Sequence, residues 1–248
     1  MNRAVLAAGL VLALAAPAAA QVMRGPDGQN GRGDGGPARY TYANPSAGIA
    51  ADIELSRLSA DKKGRWFALR KMAAPDAVMF VPQLVLAQSW LKDRHQPASP
   101  LKLQASRAWA SCDGSLIVTS GSQADAGPGG WYTNVWRRQD DGNYSWVFSH
   151  GGVTGKPYVE PDWVEGKVAE CPPRRRAAPG MGPPRRGKKA KAPPIVLDPK
   201  GGSGSSDDGS LTWEVTALPG GGHRFTARMR IAGEMAGFRD EQVAANGS

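Results

Sequence analysis

His150 is the side chain in this sequence best placed to do chemistry. It closes an alternation of Tyr144, Trp146, Phe148 and His150. An imidazole against an aromatic wall can move a proton near neutral pH or hold a ligand by hydrogen bonding. The alternative is a rim histidine bonded to backbone. His95 and His223 lie far from His150 and from each other, and no close cysteine pair accompanies them, so no metal site is expected. Asp52, Glu54 and Asp61 share a helical stretch, mostly off its apolar stripe, and read as solvated acids. Asp76 precedes an apolar run and reads as a turn acid. The chain has no phosphate loop, dinucleotide fingerprint or nucleophile elbow, and no cofactor is expected. The catalytic residue, if there is one, stays open, with His150 as the candidate.

The two cysteines are Cys112 and Cys171. Whether they pair or lie apart as buried thiols is open, because spacing does not reveal geometry. Oxidation is permissible if the chain is exported, and the N-terminus has the pattern of a secretory signal. Arg3 precedes an apolar run from Ala4 to Ala16, and Ala18-Ala19-Ala20 offers a cleavage site before Gln21. The run is too short to cross ~30 Å of hydrocarbon. A periplasmic or secreted protein is expected, cleaved after Ala20.

The formal charge of +9 is accounted for by Arg3 and by the eight cations of Arg174–Ala192, a tract with no acid. The rest of the chain is balanced. A basic chain raises the question of nucleic acid, but here the charge is one Pro- and Gly-rich tract in an exported protein, so nucleic acid is not an expected partner. The tract reads as a disordered linker that repels itself, or alternatively as an arm that meets an anionic envelope surface.

The remaining elements follow from periodicity and turn residues. Residues 1–20 are the signal and 21–45 a Gly-rich disordered leader. A folded domain spans 46–165, a linker 166–194 and a small β extension 195–248. Ala51, Leu55 and Leu58 make one helical stripe, and Trp66, Leu69 and Met72 a second. That second helix is expected to end at Ala74-Pro75-Asp76. Ala77 to Val81 reads as a strand, and Ala87 to Asp93 as a helical turn or two. Four further runs are split at Asp113-Gly114, Ala126–Gly130 and Asp140–Asn143, which predicts a four-stranded antiparallel meander. Alternation puts Tyr144, Trp146, Phe148 and His150 on one face, with Ser145, Val147 and Ser149 on the other. It also sets Tyr132, Asn134 and Trp136 against Trp131, Thr133 and Val135. Two helices covering the aromatic face of such a sheet make an α+β layer architecture. After the linker, Ile195 to Leu197 reads as a short strand, Gly201–Gly209 as flexible, and Leu211–Leu218 with His223–Ile231 as a hairpin. That hairpin needs a partner: the first domain, Gly237–Val243 or a second copy.

The helix pair, Asp76–Pro82, Trp90-Leu91, Cys112–Leu116, Trp131–Gln139 and Gly142–Val147 together resemble the NTF2-like superfamily, in its SnoaL-like and DUF4440-type branch, over about residues 47–165. The resemblance implies a cone, that is, a curved sheet wrapped around helices with a pocket at one end, and it makes a homodimer plausible through the sheet. Trp66, Trp90, Asn134, Trp136, Trp146 and His150 are the candidate pocket residues, since indoles suit a wall between apolar interior and polar mouth. The resemblance covers isomerases, cyclases and dehydratases as well as binding domains, and fold alone does not choose among them. The expected function is binding of a small apolar molecule without catalysis. The alternatives are an envelope interaction or assembly protein using Arg174–Ala192, and an enzyme of the isomerase, cyclase or dehydratase kind.

Overall fold

The computed structural model describes residues 43–81, 83–92, 94, 95, 97, 99–172, 195–198 and 200–245. The expected signal, nearly all of the leader, and Arg174–Ala192 lie outside the described residues. No helix among the described residues is long and apolar enough to cross a membrane.

Two helices lead, α1 (Ser46–Ser59) and α2 (Gly64–Met72). The stripe of Ala51, Leu55 and Leu58 is buried as its spacing predicts. Strand β1 (Ala73–Phe80) starts directly after α2, earlier than Pro75 suggested. Proline cannot donate to a ladder, but the pairing of β1 breaks register between Ala73 and Val78, where Pro75 falls.

The strands that follow are β2 (Leu84–Leu86), β3 (Leu103–Ala110), β4 (Leu116–Gln123), β5 (Gly130–Arg138), β6 (Tyr144–Val153) and β7 (Glu165–Val168), with a short helix α3 (Ala87–Trp90) after β2. They form one seven-stranded sheet in the order β2-β1-β6-β5-β4-β3-β7. The run β3 to β6 is the antiparallel meander read from the turns. β1 joins β6 in parallel and β7 joins β3 in parallel. The linker therefore does not begin at residue 166, because Glu165–Val168 extends the sheet.

A second, antiparallel sheet holds β8 (Val196–Asp198), β9 (Gly201–Ser205), β10 (Leu211–Ala217), β11 (His223–Ile231) and β12 (Glu234–Val243), in the order β12-β11-β10-β9-β8. The hairpin β10–β11 is as expected. The glycines of β9 are strand residues rather than flexible spacer. Trp213 pairs with Gly204, and a Cβ at Gly204 would sit 2.7 Å from the indole nitrogen, so the missing side chain lets the ring lie across β9.

The molecule is thus α+β in three layers. Helix α1 packs on β3, β4 and β6, and Gly48 lets it approach, since a Cβ there would meet Ile117 at 2.6 Å. The second sheet covers the opposite face, where Phe148 stacks on Trp213 and on Phe225 at 5.4 Å each. Helices alone were expected as the cover. A β-bulge explains the need for two covers. Val135 pairs with Phe148 and Trp136 with Trp146, so Val147 is an extra residue and the alternation of β6 flips there. Trp146 therefore faces the helices, donating from Nε1 to the Leu69 carbonyl at 2.8 Å. Phe148 and His150 face the second sheet. The single aromatic face expected from strict alternation is split between two sides.

Two turns of the same sequence pattern clasp the sheets together. Ser111-Cys112-Asp113-Gly114-Ser115-Leu116 precedes β4, and Ser206-Asp207-Asp208-Gly209-Ser210-Leu211 leads into β10. In each, the Asp carboxylate accepts from both Ser hydroxyls and from the second Ser amide. The two turns then bond reciprocally. The Cys112 amide donates to Ser210 Oγ at 2.8 Å, and the Asp207 amide to Ser115 Oγ at 2.9 Å. Beside them Cys112 and Cys171 form a disulfide with Cα atoms 5.0 Å apart, which ties the end of β7 to the β3–β4 turn.

Candidate functional site

A cavity of about 360 Å³ lies between α2, α3 and the helix-facing side of the main sheet, and it continues past the end of β6 to the second sheet. Trp66, Leu69, Trp90, Leu103 and Trp146 supply apolar wall. Trp66 and Trp90 meet edge to face at 5.6 Å, a favoured aromatic geometry. Arg94 lies 3.4 Å over the Trp90 ring, and the Trp66 Nε1 donates to the His95 carbonyl at 2.9 Å. These contacts fix two indoles that would otherwise be free to turn.

Of the residues expected to line a pocket, Trp66, Trp90, Asn134, Trp146 and His150 do so. Trp136 does not. It is fully buried under α1, and its Nε1 donates to Asp52 and to Thr119 Oγ1, both at 3.1 Å. Its place in the β5 alternation is right, but it sits further along the strand than the cavity reaches.

Asp52 is the largest departure from the expected solvated acids. It is 1% exposed. Tyr132 donates its hydroxyl to Oδ2 at 2.9 Å, and Asn134 Nδ2 donates to Oδ1 at 2.8 Å. Burial pushes its carboxyl up to about 6, against the hydrogen bonds of Asn134, Thr119, Tyr132 and Trp136, which favour the charged form. Burial and the neighbouring Asp52 hold the Tyr132 phenol well above its ordinary value. Tyr132 and Asn134 line the cavity and Asp52 does not, so the carboxylate acts on the cavity only through them. Glu54 pairs with Arg57 at 2.7 Å on the exposed side of α1, and Asp61 is exposed, as expected. Asp76 is not a turn acid. It lies within β1 and pairs with both terminal nitrogens of Arg137. Burial would raise its carboxyl, but Arg137 outweighs that and holds it below the usual range.

The polar end of the cavity is a chain of three side chains. Glu241 Oε2 lies 3.0 Å from His150 Nε2, and His150 Nδ1 lies 2.9 Å from His223 Nε2. Glu241 also accepts from Thr133 at 3.0 Å and pairs with Arg239 at 2.9 Å. His150 and His223 both line the cavity and both are buried. Phe80 covers the His223 ring at 4.2 Å. The far nitrogen, His223 Nδ1, is buried with no hydrogen-bond partner. His223 is thus a site residue that the sequence reading set aside as scattered. Separation along the chain hid it, since β6 and β11 meet only through sheet packing. The one visible cue was that His223 opens a strand whose inward positions continue as Phe225, Ala227 and Met229.

Chemically, the arrangement offers an apolar chamber, an amide and a phenol on one wall, and an imidazole edge at one end. Comparison with protein-family models, curated proteins and solved structures finds no match for this chain.

Proposed function

We propose that the chain is an exported binding protein of NTF2-like form, whose cone holds a small, largely apolar molecule and performs no reaction on it. Two leading helices laid on one face of the β3–β6 meander support the cone. The signal pattern of Met1–Ala20 supports export. The observation that carries the binding reading is the cavity of about 360 Å³, walled by fixed indoles and closed by few polar groups, which is the usual make-up of a small-molecule site.

A second reading, an enzyme of isomerase, cyclase or dehydratase type, draws on His150 and His223 bordering the cavity with Glu241 behind them. Against it, the most perturbed carboxylate, Asp52, is spent on its own donors and stays out of the cavity.

Purification under native conditions followed by mass spectrometry tests the binding reading directly. A stoichiometric apolar compound released on denaturation is expected, along with saturable changes in tryptophan emission when it is added back. Emission unmoved by every member of a hydrophobic panel, from protein that carries nothing, overturns the proposal. Turnover of the recovered compound would favour the enzyme.

A further inference from the structure

The cavity has a second polar margin, between the start of α2 and the turn after β4. The described residues that line the cavity include Arg65, His150 and His223 and no acid. Asp52, Asp125 and Glu241 stand behind the wall, each held by its own donors. A ligand cation would therefore meet no carboxylate in the lining, whereas a ligand anion would meet a guanidinium.

The neighbours of Arg65 fix where its head sits. Nη1 donates to Asp125 Oδ2 at 2.7 Å, and Gln123 Nε2 reaches the same oxygen at 3.3 Å. Arg65 and Gln123 thus bring their polar heads together, and both residues line the cavity. Gln123 in turn lies against Gly151, another lining residue, where a Cβ would come within 3.3 Å of Gln123 Oε1. The Arg65 Cζ also lies 5.5 Å from the centre of the Trp66 ring. The guanidinium is therefore held beside an indole of the apolar wall and an amide of the polar margin. Asp125 does not use it up. The Asp125 side chain is 3% exposed against 19% for Arg65, and its second oxygen accepts from the Lys102 amide at 2.9 Å. A guanidinium carries several N–H donors in a fixed fork, and Asp125 accepts from Nη1 alone. Nε is unbonded but sealed from solvent. Nη2 makes no hydrogen bond within the chain and, unlike Nε, is not sealed, so it is the atom of this side chain that can meet a ligand acceptor.

We infer that the cavity takes an apolar carboxylic acid in its ionised form, with the hydrocarbon body among Trp66, Trp90 and Trp146 and one carboxylate oxygen on Arg65 Nη2. This rests on the binding function proposed above and names its ligand class. A charge-assisted hydrogen bond is about twice as strong as a neutral one, and beside an apolar wall it is weakened less by water.

Calorimetric titration of the oxidised protein at pH 7.5 with 2-naphthoate, its methyl ester and the ammonium form of 2-naphthylmethylamine tests it. 2-Naphthoate should bind at least about 10-fold more tightly than either of the others. In Arg65→Gln that preference should shrink to within about 2-fold while the ester keeps its affinity. An ester or ammonium that binds as tightly as 2-naphthoate in the unmutated protein, or a preference that survives Arg65→Gln, overturns the inference and leaves the cavity reading intact. Binding by none of the three overturns both. A structure of the unmutated protein with 2-naphthoate keeps the test independent of whether the variant folds. A carboxylate oxygen within about 3.2 Å of Arg65 Nη2 supports the assignment, and a carboxylate seated on the histidines or in bulk solvent overturns it.

Discussion

Asp52 makes folding respond to pH in the direction opposite to most acids. Its folded value is about 6, above the ordinary value of 3.8, so the folded state binds this proton more tightly. Its favourable contribution is full below about 4 and is lost as pH rises through about 6, a swing of about 3 kcal/mol. His223 runs the other way. Its folded value is lowered from 6.5 to about 4, so its contribution is present above 6.5 and lost as pH falls through 4. Lowered Glu241 adds to that acid-side loss. The two signs offset each other between pH 4 and 6.5. Urea unfolding of Asp52→Asn across that range should therefore lose stability more steeply with acid than the parent, and an unchanged slope would count against a titrating Asp52. Asp52→Ala, which strands the buried donors of Tyr132 and Asn134, should cost about 3 kcal/mol or more at neutral pH. The place of Asp52 was legible in part. Gly48, Ala51, Asp52, Leu55 and Leu58 follow one helical face. An acid on that face, opposite Tyr132, Asn134 and Trp136 at every second position of β5, has three donors waiting. Only the hydrophobicity of the stripe concealed it.

At the level of elements, turns and strands were readable because glycine and aspartate mark them, while relations between elements were not. The meander β3–β6 and the hairpin β10–β11 fall where their turns placed them. The bulge at Val147 left no mark in the sequence, so every face assigned beyond it was inverted. Gly204 of β9 looked like spacer because the reason for it, the indole of Trp213, sits on another strand. Gly204→Val should therefore destabilise by about 1–3 kcal/mol, as overpacking does, and a loss below that range in thermal or urea unfolding would mean that the ring moves aside. The paired Ser-x-Asp-Gly-Ser-Leu turns are a repeat whose meaning is contact. Ser115→Ala and Ser210→Ala should each cost about 1 kcal/mol. Together they should deviate from additivity, because they serve one reciprocal pair. Strict additivity in a double-mutant cycle would show that the turns act independently.

For the molecule as a whole, the resemblance would join two copies through the main sheet, yet that surface carries the chain's own second sheet, anchored by Phe148, Trp213 and Phe225. Cys112 and Cys171 are 59 residues apart in sequence, and a crosslink over that span contributes ~4 kcal/mol in the chain-entropy model. Reduction, or Cys112→Ser with Cys171→Ser, should lower unfolding stability by about that amount. A shift under 1 kcal/mol would place the constraint in packing alone. Both cysteines precede residue 173, so the covalent staple never reaches the last five strands. Hydrolysis of any one peptide bond between 173 and 194 would turn residues 195–248 into a free fragment, held as a ligand is held, by burial and by the serine clasp. A specific protease site inserted there should give halves that co-elute in buffer and part in urea with the disulfide intact. The affinity measured on remixing would read out, as a dissociation constant, the grip of one sheet on the other.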